Sequence, residues 1–204
     1  MVEYQRKDRY DINDLRDIMS ILRSPQGCPW DREQIHKSIR NDFIEEVYEA
    51  IEAIDLEDTE LLKEELGDVL LQIIFHCRIE EEKSCFDFDD ICDELCKKLI
   101  IRHPHVFGDI TVSDSGEVLK NWDSIKKETK GQTSYTETLT SVAKSLPALM
   151  RAQKVGKRAM RAGMDFSCVS DAVERVKSET DELEEAIRLS LIHISEPTRL
   201  LSIS

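Results

Sequence analysis

The sequence predicts an all-α fold with a partial second helical repeat, and three observations carry that reading. The chain is rich in Glu, Leu, Lys and Ile, with only 7 glycines, 5 prolines and 6% aromatic residues among 204, a balance that favours helices over sheets. Apolar residues recur at helical spacing in one segment after another. Between those segments, proline and glycine collect in short polar stretches that end helices.

The elements follow in order. Residues 10–22 form a first amphipathic helix, with Leu15, Ile18, Met19 and Leu22 on one side. A loop over residues 23–30 is broken by Pro25, Gly27 and Pro29, and Asp31 is placed to cap a short helix reaching Ile39. Two Glu-rich helices come next, over residues 41–54 and 60–78. A further helix over residues 89–101 must end before Pro104, because the residue preceding a proline is pushed out of helical geometry. A loop over residues 104–116 leads to a helix near residues 117–127. Residues 131–140 read as a linker, which sets a first domain at 1–130 and a second, truncated one at 141–188.

Charge narrows the class of function. A formal net charge of −14 argues against a nucleic-acid or anionic-membrane surface. It leaves nucleotides open, because a metal can bridge their phosphates to carboxylates. No apolar run is long enough to span a bilayer, and the charged start has no signal-peptide core, so a cytoplasmic location is expected. The 6 cysteines contain no CxxC pair and fit no common zinc module, so they are read as reduced thiols.

The carboxylates hold the chemistry. Glu46 with Glu49, and Glu65 with Asp68, are i, i+3 pairs, so each pair shares a helix face. Phe43, Val47, Ile51 and Ile54 fall in one arc at about 100° per residue, with Glu46 and Glu49 flanking it and Glu45 and Glu52 pointing away. The second helix is apolar on nearly every face from Leu66 onward, except for a stripe of Glu65, Asp68, Gln72 and His76. An all-round apolar helix is expected to be buried, and buried carboxylates are costly unless paired or bound to metal. Four of them on neighbouring helices would repel one another, and a hard divalent cation held through oxygen relieves that repulsion. Glu57, Asp58, Glu60 and Glu80 to Glu82 are read as ordinary solvated charges.

The later part of the chain echoes the earlier part. Residues 146–163 resemble another first helix, and residues 176–187 parallel 43–51, aligning Glu179 with Glu46 and Glu182 with Glu49. Ser178 stands where that second motif would have its first Glu, and no counterpart of the Glu65–Asp68 pair follows. Residues 189–199 resemble the translation of a transposase-type DNA-sequencing adapter, so 189–204 are expected to be a non-native tail.

Five stretches jointly resemble the MazG family: Cys28-Pro-Trp-Asp31, Gln34-Ile-His36, Glu45 to Glu49, Glu65 to Gln72, and Arg102 to Asp109. Family members often have Thr where Ile35 stands. The resemblance implies four-helix-bundle-like domains, often in tandem, assembled as a homodimer. It also implies magnesium-dependent hydrolysis of nucleoside triphosphates to monophosphate and pyrophosphate. Under it Glu46, Glu49, Glu65 and Asp68 match the metal-binding, catalytic carboxylates. Lys98 and Arg102 match phosphate-contacting residues, Trp122 an aromatic near the substrate, and Trp30 and Gln34 a loop that helps enclose the base. A narrower substrate, such as dUTP or a phosphoribosyl nucleotide, and a non-catalytic nucleotide-binding or dimerisation module are the alternative readings.

Overall fold

The structure is a computed structural model that describes residues 4–129 and 134–188. Its ten described helices are α1 (Ile12–Leu22), α2 (Pro29–Glu33), α3 (Arg40–Asp55), α4 (Thr59–Glu81), α5 (Phe88–Arg102), α6 (Pro104–Phe107), α7 (Ser115–Thr129), α8 (Tyr135–Thr140), α9 (Ala148–Arg161) and α10 (Val169–Arg188). There is no strand among the described residues, as the composition predicts. None of the described helices is long and apolar enough to cross a membrane.

Helix starts follow local chemistry. Asp11 accepts from the backbone of Asn13 and Asp14, while the Asp14 side chain accepts from the Asp11 backbone, so a capping box opens α1. Asp58 caps α4 at Glu60 and Leu61, and a second capping box, Asp87 with Asp90, opens α5. The short helix expected to start at Asp31 starts instead at Pro29, with Cys28 as its cap, and ends at Glu33. Proline suits a first helical position because it lacks the N–H that would go unpaired there. Gly27 is required by the turn before it: a Cβ there would lie 2.1 Å from the Ile21 carbonyl oxygen.

The chain divides into two compact units, Met1–Val118 and Leu119–Ser204. The division falls within α7, ahead of the expected linker at 131–140, whose later residues form α8; residues 130–133 and the tail at 189–204 lie outside the described residues. In the first unit α4 is the central helix, packed most extensively on α3 and also on α1 and α5. The core is Met19, Ile39, Ile74, Phe75 and Ile79, with Leu15, Leu70, Leu71 and Phe88 against it. This core draws on α1, α4, α5 and the turn before α3, while α3 packs along α4 with Ala50 and Ala53 buried, which gives the bundle-like architecture. In the second unit α8 packs on α9, and Arg158 donates to the Thr138 carbonyl and the Ser141 hydroxyl.

Two expectations about packing are corrected. Val47, Ile51 and Ile54 do not face a neighbour within the chain; they are exposed, and α3 buries Ala50 and Ala53 instead. Nor is α4 buried all round: Leu66 is 53% exposed, and full burial begins only at Gln72. In both cases apolar area is left outward on a single chain, where spacing alone cannot say which of two apolar faces meets the neighbouring helix.

Candidate metal centre

Glu46 and Glu49 on α3 and Glu65 on α4 converge, with one carboxylate oxygen of each within 4.8 Å of the others. The cause is local. Glu46, Glu49, Ala50 and Ala53 share one face of α3, and the two alanines are its buried residues. Small side chains at a helix contact let the axes approach closely. The carboxylates of α3 are thereby brought up to the first half of α4. Glu46 and Glu65 are half-buried and Glu49 is exposed.

The electrostatics follow from crowding. Burial, then the charges of Asp68, Glu49 and Glu65, push the Glu46 carboxyl above its ordinary value. Burial, then Glu49, Glu64 and Asp68, do the same to Glu65. Asp68 is half-buried and acts on both through its charge, but its oxygens lie outside the group of three. Of the four expected carboxylates, the structure therefore gathers three and holds Asp68 in electrostatic reach. The donor set is oxygen only and carries excess negative charge. That fits a hard divalent cation such as magnesium, with Glu46, Glu49 and Glu65 as the residues that would hold it.

Further along the stripe, Gln72 is buried and its Oε1 has no hydrogen-bond partner. Beyond it His76 Nδ1 lies 2.7 Å from His36 Nδ1, and His36 Nε2 lies 2.5 Å from Glu80 Oε1. Glu80 and Glu82 are not free solvated charges. Lys83 and then His36 hold the Glu80 carboxyl down at about 2. Glu82 receives the Arg23 guanidinium at 2.8 and 2.9 Å, which lowers its carboxyl value. Arg23 also donates to the carbonyls of Asp31 and Gln34 and lies over the Phe75 ring. Sequence reasoning placed His76 on the stripe and His36 in a motif without a role, read Glu80 as a solvated charge and missed Arg23; only the fold brings their partners, far away in sequence, into reach.

The remaining expected residues spread over three elements. Trp30 on α2 is 58% exposed, so it anchors no core. Gln34 ends α2 and spends its side chain locally, with Nε2 donating to the Trp30 carbonyl at 2.8 Å. Lys98 and Arg102 lie one turn apart near the end of α5, the former exposed and the latter half-buried. Trp122 is half-buried on α7, in the second compact unit.

Residues 34–107 match the MazG nucleotide pyrophosphohydrolase domain. The chain is 42% identical over 182 residues to the nucleoside triphosphate pyrophosphohydrolase of Escherichia coli, covering 89% of this chain and 69% of that protein. It is also 42% identical over 175 residues to the nucleoside triphosphate pyrophosphohydrolase/pyrophosphatase MazG of Thermotoga maritima, covering 86% and 67%. Against the Mycobacterium tuberculosis nucleoside triphosphate pyrophosphohydrolase it is 35% identical over 198 residues, covering 96% and 58%. Similarity at this level, over most of its length and centred on the helices that carry the carboxylates, places the chain in the MazG family of nucleotide pyrophosphohydrolases.

Proposed function

We propose that this protein hydrolyses nucleoside triphosphates to nucleoside monophosphate and pyrophosphate, using magnesium held by Glu46, Glu49 and Glu65 with Asp68 close by. The observation that carries the reading is the convergence of three carboxylates from two helices, in a chain whose relatives are named for this activity. Water adds across the anhydride between the α and β phosphorus atoms, that bridge breaks, and one proton is released. A bound magnesium ion would offset phosphate charge and acidify a water.

The chain's own residues do the rest. Glu46 and Glu65, destabilised as anions by burial and by neighbouring carboxylates, are disposed to share a cation or to hold a proton taken from water. Lys98 and Arg102 supply two cations on one face of α5, suited to the charge that builds on the phosphates. The exposed ring of Trp30, with Gln34 bonded to its carbonyl, is the surface the first unit offers to the base.

A second copy of the chain is the expected partner. Ile44, Val47, Tyr48, Ile51 and Ile54 on α3 are exposed, as are Leu95 and Leu99 on α5. Patches of this kind mark interfaces in soluble proteins. Gly67 lies inside α4 with nothing within 4 Å of a built Cβ. A mid-helix glycine costs about 1 kcal/mol relative to alanine, and packing against another chain gives it a purpose.

The test is pyrophosphate release from a panel of nucleoside triphosphates, dUTP included, with and without magnesium. Release that depends on magnesium supports the reading. Turnover of dUTP alone would narrow it to one substrate. Tight nucleotide binding without turnover would replace it with a non-catalytic module.

A further inference from the structure

Outside the carboxylate cluster, titratable side chains gather at the far end of the same α4 stripe. The His36 and His76 rings lie edge to edge in nearly one plane, 5.0 Å between centroids and 13° from parallel, with their Nδ1 atoms 2.7 Å apart. His36 turns its Nε2 to Glu80, and His76 also meets the Phe43 ring at 5.6 Å. Three segments therefore converge on this pair. His36 lies in the turn after α2 that follows Trp30 and Gln34. Phe43 lies on α3 one turn before Glu46. His76 and Glu80 lie on α4, the helix of Glu65 and Asp68.

The protons can be placed by elimination. Glu80 is ionised near neutral pH and can only accept, so His36 Nε2 donates to it. A neutral His36 then offers a bare Nδ1, which accepts from His76 Nδ1–H. Burial and the nearby His36 hold His76 below the ordinary histidine range, which keeps the bonded form at neutral pH. The charged group on the pair is Glu80, itself shared with Lys83 Nζ at 2.6 Å and bonded by Cys85; α3 presents the uncharged Phe43 ring.

We propose that His36 and His76 are positioning residues whose shared hydrogen bond, anchored by Glu80, seats the Trp30–Gln34 segment on the helix of the metal-binding carboxylates. The proposal deepens the functional reading above and rests on it, since it gives that segment the task of holding the nucleotide.

The experiment uses the full chain. Hydrogen exchange over residues 28–39 is followed by mass spectrometry, and pyrophosphate release is measured with the best substrate among ATP, GTP, CTP, UTP and dUTP. In His36→Ala, exchange in that segment and KM should each rise about tenfold at about pH 7.5, with kcat within about twofold of the parent. His76→Asn keeps a donor at the Nδ1 position and cannot titrate. It should match the parent in exchange and in KM at about pH 7.5, because the donor to His36 Nδ1 is kept. The proposal is overturned if His36→Ala leaves exchange and KM unchanged, if its loss is confined to kcat, or if His76→Asn raises exchange and KM as much as His36→Ala does. A parent that releases no pyrophosphate from any of the five nucleotides would overturn the functional reading, while the exchange measurement still decides the tie.

Discussion

Glu46 and Glu65 concentrate the conflict between stability and function. Their carboxyls are raised in the folded chain, by burial first and by neighbouring carboxylates next. A carboxyl raised on folding binds its proton more tightly in the native state, so stability grows as pH falls from neutrality through the raised value. Without metal, Glu46→Gln should therefore raise the melting temperature at neutral pH and flatten its dependence on pH. The same variant should lower magnesium-dependent turnover by at least about a hundredfold, worth about 2.7 kcal/mol of transition-state stabilisation. Parallel melts and pyrophosphate assays check both; near-parental turnover would remove Glu46 from the metal site. Glu80 has the opposite sign. Lys83 and His36 hold it down at about 2, so its contribution is present above the ordinary glutamate value and is lost as pH falls towards about 2.

At the scale of elements, the contact between α3 and α4 makes the site. Ala53 is fully buried there. Ala53→Leu should push the helices apart, cost about 1–3 kcal/mol through overpacking, and weaken the stabilisation that magnesium gives, because Glu65 would retreat from Glu46 and Glu49. Denaturant titrations with and without magnesium measure both effects, and an unchanged response to magnesium would show that helix spacing does not set the cluster. The turn between α1 and α3 depends on Arg23, whose side chain is 5% exposed and paired with Glu82. Arg23→Ala leaves two carbonyls without their donor and Glu82 with Arg78 alone, and should destabilise the chain by about 3 kcal/mol. A loss below about 1 kcal/mol would mean that water replaces the guanidinium.

For the whole molecule, the exposed apolar side chains of α3 and α5 predict association. Sedimentation should show a dimer, and Leu95→Glu, a charge placed on a residue 43% exposed in the single chain, should shift it to monomer without loss of helix content. A monomeric parent would show that these faces are covered in some other way. Removing residues 189–204, which lie outside the described residues, should leave turnover within about twofold, because the expected ligands and phosphate contacts all precede them. Loss of activity on that deletion would make the tail a native part of the protein.

The sequence by itself determined the helical class, the carboxylate pairs and the family. These follow from local pattern: i, i+3 spacing fixes which carboxylates share a face. The caps were not so determined: Asp58, read as a solvated charge, caps α4, and the cap placed at Asp31 falls to Cys28. The sequence was ambiguous where two faces of one helix were both apolar. Only the tertiary structure decided that α3 meets α4 through Ala50 and Ala53 while Val47, Ile51 and Ile54 stay outward, because close approach depends on side-chain size across a contact that spacing along one chain does not specify. It also decided which charges are free. Arg23 with Glu82, and His36 with His76 and Glu80, join residues 40 to 59 positions apart, so their partners are set by packing. The carboxylate centre was legible because both halves of it are helical patterns. The histidine tie was not, because it exists only where the turn after α2 is folded back onto α4.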